Sequence, residues 1–220
     1  MKKKANIVAY YPVSLNIRGR KCVVVGGGEV ALRKVKALLE HGADVEVISP
    51  DLCPELVRLG ESGEISIHNH AHETGNLAGA FLAVAATDDA EINQQVAKEA
   101  RSKAILVNVV DDAVNSDFIV PSYLRREGLT IAVSTSGQSP ALARKIRARL
   151  EQEITDQHGA LTRLIGEIRA EIKQAGMKIE DNRWQEVLDL DLLLELLKKG
   201  KSEKAKDILL SRLKEGQGKV

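Results

Sequence analysis

Residues 21–31, Lys-Cys-Val-Val-Val-Gly-Gly-Gly-Glu-Val-Ala, decide how the chain is read. Lys21 to Val25 is a short β-branched run that stops at three glycines. Apolar residues then recur at Val30, Ala31, Val35, Leu38 and Leu39, the spacing of one helix face, until Gly42 ends the pattern. Strand, turn and helix follow one another directly. In Gly26-x-Gly28-x-x-Ala31 the first glycine permits a tight turn and the second lets backbone approach a pyrophosphate. The small third residue lets the helix pack close to a sheet, with its N-terminus facing the anion. Dinucleotide binding by Gly26, Gly27 and Gly28 stands against a glycine turn kept for packing alone, and the strand–turn–helix context favours the former.

Outward from this stretch, Val45 to Ile48 reads as a second strand stopped by Ser49-Pro50, and Leu52 to Leu59 as a short helix. Glu64 to His70 alternates as a third strand, and Ala80 to Ala86 is a continuous apolar run, as in a strand covered on both faces. Asp89 to Arg101 reads as a helix and Ile105 to Val110 as a fifth strand. Strands alternating with helices predict an α/β fold with a parallel sheet over residues 1–113. The pattern then changes. Phe118 to Val120 and Leu129 to Val133 are expected to be strands joined by Pro121 to Gly128. Ser139-Pro140 is a helix start, a capping hydroxyl followed by proline, and that helix should reach about Ile154. A small α+β part over 114–154 is thus followed by a helical tail over 155–220. The tail carries one stripe of Leu161, Leu164, Ile165, Ile168 and Ile172, and another of Val187, Leu190, Leu193, Leu194 and Leu197. The final GQGKV should fray.

Composition narrows the function. With 44% hydrophobic residues among 220, the chain has enough apolar material for an ordinary core. Lys plus Arg total 32 and Asp plus Glu 31, which disfavours a basic nucleic-acid binder; 3% aromatics are too few for base-stacking platforms. Two cysteines, Cys22 and Cys53, exclude a disulfide scaffold and suit a reducing compartment. Met1-Lys2-Lys3-Lys4 looks like the start of a signal peptide, but no apolar segment follows. No run approaches about 18 apolar residues, so no membrane span is expected and the chain reads as cytoplasmic.

Several side chains are candidates for chemistry. An acidic residue about 20 positions beyond the glycines is expected to bond a ribose hydroxyl, and Asp51, after Pro50, falls slightly late for it. The absence of Arg between Ser49 and Glu55 favours NAD over NADP; Asp51 reads equally as a carboxylate near a helix dipole. Asp111 closes the fifth strand after Asn108-Val109-Val110, where open α/β sheets bind ligands, and a solvated loop acid is the competing reading. Ala86-Thr87 ends the fourth strand in the same way, with Asp88 or Asp89 as a helix cap. His68, His70 and His72 are expected on one strand face, yet same-face spacing of about 7 Å suits a metal poorly and an exposed polar edge is favoured. Cys22 reads as buried and inert. From Phe118 to Arg149 there are six bases (Arg125, Arg126, Arg144, Lys145, Arg147 and Arg149) against the single acid Glu127, either an anion-binding face or a solvated helix. Residues 151–200 carry eleven acids against seven bases, so the near-zero net charge sums opposite segments.

Four segments together carry a resemblance. They are YYPVSLNIRGRKCVVVGGGEVALRKVKALLEHGA (10–43), AVAATDDAEINQQVA (83–97), NVVDDAVNSDFIVPS (108–122) and IAVSTSGQSPALARKIRARLE (131–151). Over about residues 10–154 the chain resembles the dehydrogenase/ferrochelatase half of siroheme synthase, the N-terminal half, also found as free-standing precorrin-2 dehydrogenase. The resemblance implies a Rossmann domain, a dimerisation domain over 114–154 and a small helical domain, assembled as an intertwined homodimer. It implies NAD-dependent oxidation of precorrin-2 to sirohydrochlorin, with ferrous iron insertion to siroheme in many members and no permanent metal site. The family's catalytic aspartate falls on Asp111. Its cofactor contacts fall on the glycine loop, Glu29, Val30, Pro50 and Asp51, and the strand ends at Ala86, Thr87 and Asn108 are assigned to the same cofactor. Ser134, Thr135, Ser136 and Arg144 are the candidates for the polycarboxylate substrate. Thr135 stands where some members have serine. Methylation, the task of the other half of siroheme synthase, is expected elsewhere. A redox-sensing DNA regulator and a nucleotide-sensing transport domain are the rivals. The former lacks room for a reading head before Lys21, and the latter leaves the SxSGxSPALAR segment unexplained.

Overall fold

The computed structural model describes residues 10–215, so the expectations for Met1–Lys4 and for the C-terminal GQGKV lie outside the described residues. The chain divides into two compact units, Met1–Val120 and Pro121–Val220.

In the first unit, β1 (Lys21–Val25), α1 (Glu29–Glu40), β2 (Asp44–Ile48), α2 (Pro54–Glu61), β3 (Ser66–His68), β4 (Leu82–Ala85), α3 (Ala90–Ser102) and β5 (Leu106–Val109) follow in order. The five strands form one parallel sheet in the order β3-β2-β1-β4-β5. This is the expected Rossmann arrangement. Winding reverses between β1 and β4, which opens a crevice at their carboxyl ends. Alternate residues serve the two faces. Cys22 and Val24 pack with Val45, Val47, Val84 and the α1 residues Ala31, Leu32 and Val35. Val23 and Val25 pack with Ala83, Ala85 and the α3 residues Val96, Ala97 and Ala100. Burying each such valine contributes roughly 1.5–3 kcal/mol, which is why these strands read as continuous apolar runs. Cys22 is buried as expected, and burial pushes its thiol up to about 11, an inert state. Asp89 caps α3, accepting from the Glu91 and Ile92 amides.

The second unit holds β6 (Ser122–Arg126), β7 (Leu129–Val133), α4 (Pro140–Glu153), α5 (Asp156–Gln174), α6 (Asp181–Val187), α7 (Leu190–Lys198) and α8 (Ser202–Lys214). Strands β6 and β7 pair antiparallel, Arg126 opposite Leu129. The expected strand at Phe118–Val120 is therefore corrected: the strand lies in the segment read as a loop. Pro121 and Gly128 bracket it instead of marking an eight-residue connection. The hairpin turns on Glu127 and Gly128 alone, with Glu127 at φ +49°. Ser139 caps α4 ahead of Pro140, as expected. The second tail stripe is also corrected. Asp189 accepts from the Leu192 amide and starts a new helix, so α6 and α7 are separate; Leu190 is exposed and Leu196 takes a core position with Val187 and Leu193. Among the described residues, no helix is long and apolar enough to cross a membrane.

Candidate functional site

The glycine turn shows three different surroundings. Gly26 has φ +123°, and a Cβ there would lie 2.3 Å from the Ala86 carbonyl oxygen. At Gly27 it would lie 1.9 Å from the Asp51 carbonyl oxygen. Gly28 has nothing within 4 Å. The first two glycines thus let the turn press against the ends of β4 and β2, and the third leaves open space in front of α1. The turn is tied down by Gly26 N–H donating to Ile48 O at 2.9 Å and Cys53 N–H donating to Gly27 O at 2.8 Å. Gly28 is the N-cap and offers no side chain to the first-turn amides of Glu29, Val30 and Ala31. Those donors and the helix dipole suit an anion, and the missing Cβ gives a pyrophosphate room, so the loop fits a dinucleotide.

The neighbouring strand ends complete the crevice rim. Ser49 is buried and its hydroxyl donates to Asp51 O at 2.7 Å, so Asp51 closes the β2–α2 loop through its backbone while its side chain stays exposed. Helix α2 starts at Pro54 with Cys53 as N-cap, and Pro50 is exposed ahead of it. Ala86 and Thr87 follow β4. Thr87 is held by Asn93 of α3, whose amide nitrogen donates to Thr87 O at 2.9 Å while Thr87 Oγ1 donates to Asn93 Oδ1 at 2.9 Å. Asn93 has no motif of its own and was not singled out in the sequence.

The two adjacent aspartates after β5 differ sharply. Asp112 accepts from the Val114 and Asn115 amides and from Asn115 Nδ2 at 2.6 Å. These bonds, led by the Asn115 side chain, hold its carboxyl below the ordinary range, and it serves to tie the loop. Asp111 sits in the left-handed region at φ +59° with its side chain exposed. That backbone turn leaves Asp111 out of the tie that Asp112 makes, free to meet a ligand. Asn108, only 7% exposed, projects from β5 into the apolar face between Leu106 and Val110. Its Nδ2 donates to Phe118 O at 3.0 Å and its Oδ1 accepts from Lys34 Nζ at 3.2 Å.

In the second unit, Ser134–Ser139 forms the loop entering α4. Ser136 and Gly137 have φ +52° and +79°. Thr135 Oγ1 accepts from the Ser139 amide at 3.0 Å and Ser134 Oγ from the Ser136 amide at 3.1 Å, so both hydroxyls already shape the loop. Arg144 is exposed in the second turn of α4. Of the basic stretch, Arg147 pairs with Glu151 at 2.5 Å and Arg126 with Asp156 at 3.2 Å.

The histidine expectation is corrected. Strand β3 ends at His68; the His68 and His70 rings lie 6.0 Å apart, but His72 is buried, so the three do not form one exposed edge. His68 Nε2 lies 3.3 Å from Glu46 Oε2, His70 is exposed, and His72 is buried with its Nε2 3.3 Å from Glu99 Oε2. Burial lowers the His72 pKa against the pull of Glu99. Burial also opposes ionisation of Glu99, but bonds from Lys103 and the Leu77 and Gly75 amides outweigh it and its pKa is lowered.

Comparison with known proteins adds to this geometry. A family model described as "Putative NAD(P)-binding" matches residues 13–122, and one described as "Sirohaem biosynthesis protein central" matches residues 126–153. The siroheme synthase of Chromobacterium violaceum is 44% identical over 182 residues, covering 82% of this chain and 39% of that protein. That of Nitrosococcus oceani is 39% identical over 217 residues, covering 96% of this chain and 46% of that protein. The chain thus spans less than half the length of these relatives. The solved structure of SirC, precorrin-2 dehydrogenase, is similar with a TM-score of 0.68 at 26% identity, covering 93% of this chain and 100% of that one.

Proposed function

Since this chain belongs to the NAD(P)-binding family matched over residues 13–122, we propose that it is an NAD-dependent oxidoreductase that converts precorrin-2 to sirohydrochlorin, within siroheme biosynthesis. The observation that carries the reading is the pairing, on the carboxyl edge of one sheet, of a glycine turn open at Gly28 with an untied Asp111. Gly26, Gly27, Gly28 and the amides of Glu29 and Val30 hold the pyrophosphate. Pro50 and Asp51 line the ribose, and Ala86, Thr87 and Asn108 line the remainder. When bound, NAD supplies a hydride acceptor. Oxidation removes a hydride and a proton from the substrate, two electrons in all, and Asp111 is the base that takes the proton. Ser134, Thr135, Ser136 and Arg144 bind substrate carboxylates, with Arg144 as counter-charge. Mixing purified protein with precorrin-2 and NAD should produce reduced nicotinamide and sirohydrochlorin together; no growth of either absorbance sinks the proposal.

Relatives named siroheme synthase favour a second activity, insertion of ferrous iron into sirohydrochlorin. Iron is then a substrate, and of the two pyrrole protons that leave, Asp111 accepts one and solvent water the other. Anaerobic siroheme formation no faster than in a protein-free control restricts the chain to dehydrogenation. The same reading includes a homodimer. Helix α4 buries only Ala143 and leaves Leu142 50% and Ile146 40% exposed, an apolar face that suits a second copy. The division into a Rossmann part, a dimerisation part over 114–154 and a tail over 155–220, a cytoplasmic location, and no nucleic-acid partner belong to this proposal.

A further inference from the structure

Lys34 lies in the second turn of α1, half-buried, and reaches across 74 residues of sequence to donate to Asn108 Oδ1 at 3.2 Å. An ammonium has only donors and a carbonyl only accepts, so Lys34 and Phe118 O together fix which way the Asn108 amide faces. Among the described residues Lys34 has no ion pair within hydrogen-bond reach. Burial lowers its pKa, Arg33 adds to this, and the carboxylate of Asp111 works against both.

A half-buried ammonium without a contact carboxylate is a poor way to stabilise a fold. Its desolvation opposes folding, and an apolar side chain of the same length would pack on the neighbouring core without that penalty. The amide it holds is at the end of β5, three residues before the proposed base. We propose that Lys34 is a positioning residue for Asp111: its ammonium locks the Asn108 amide at the end of the strand that leads into Asp111, and so fixes the backbone turn that carries the carboxylate. This rests on the reading of Asp111 as the base.

A double-substitution cycle on the full chain tests it, using Lys34→Met, Asp111→Asn and both, with precorrin-2 and NAD. Lys34→Met should lower kcat by about tenfold or more, a larger factor than any rise in the KM for NAD or loss of calorimetric NAD affinity, since Asn108 also lines the cofactor. In the Asp111→Asn background the same replacement should change kcat by less than about twofold. Lys34→Gln keeps a donor for Asn108 without the charge and should lose part of the rate, serving also if the methionine variant folds poorly. Lys34→Arg keeps the charge and should recover most of it. A purely structural Lys34 would instead lower the melting midpoint and cost the same factor in both backgrounds, which overturns the inference, as does unchanged turnover in Lys34→Met. If Asp111→Asn alone turns over at the parent rate, the base reading falls first and this inference with it.

Discussion

Strand β4 and helix α4 stand at opposite extremes of burial. All four residues of Leu82–Ala85 are buried, whereas of the fourteen residues Pro140–Glu153 only Ala143 is. The first unit builds its core on the two faces of one sheet, though Tyr11, Val13, Val114 and Val120 stay exposed. The second unit buries the α5–α8 bundle core yet leaves the hairpin and α4 half-dressed. The difference is one of burial: β4 is enclosed on both faces, whereas α4 takes little cover from the described residues.

Four changes test this contrast, beginning with the largest expected effect. Asp111→Asn should lower precorrin-2 turnover by about 10²–10⁴-fold, and because asparagine tolerates the left-handed region the melting midpoint should hold. Turnover within a factor of about two would remove Asp111 from the reaction. Gly27→Ala forces backbone apart at Asp51 O and should cost about 2–4 kcal/mol in urea unfolding. Gly28→Ala meets open space and should cost less than about 1 kcal/mol while still weakening NAD binding in calorimetry. Equal losses of stability would show that the two glycines do the same work. Leu142→Glu with Ile146→Glu should weaken self-association by about 100-fold in sedimentation, with the first unit's unfolding unchanged. A monomeric parent protein refutes the reading of α4.

A further test concerns pH dependence. His72 is held neutral below the ordinary imidazole value of 6.5, so the unfolded chain binds the extra proton first and stability falls as pH drops below that value. Glu99 has its pKa below the ordinary 4.5, so its contribution is present above that value and is lost as pH falls further. Unfolding between pH 7 and 5 should show a loss of stability that His72→Gln removes. An unchanged slope in that variant assigns the loss to other groups.

Some of the fold and of the candidate site was legible in the chain, and particular residues show which parts. Gly26, Gly28 and Ala31 announced the turn because their roles depend on neighbours a few positions away. Asp89 and Ser139 announced helix starts for the same reason. Strand β6 was hidden because Arg125 and Arg126 blur its alternation while Pro121 and Gly128 mimic a loop. His72 was misplaced because the strand stops at His68, and only the presence of Glu99 on α3 turns the ring inward. Lys34, spaced as one more basic residue on a helix, gave no sign of meeting Asn108.

Local pattern was enough for the order of strands and helices in the first unit, the glycine turn and the acid at the end of the fifth strand, since strand and helix periodicity and backbone sterics act over a few residues. Only the tertiary structure decided which of the two aspartates is tied, which face of α4 is left bare, and that a lysine 74 positions away holds the amide beside Asp111. Those outcomes depend on desolvation and hydrogen bonds between elements brought together by packing, and no local pattern records them.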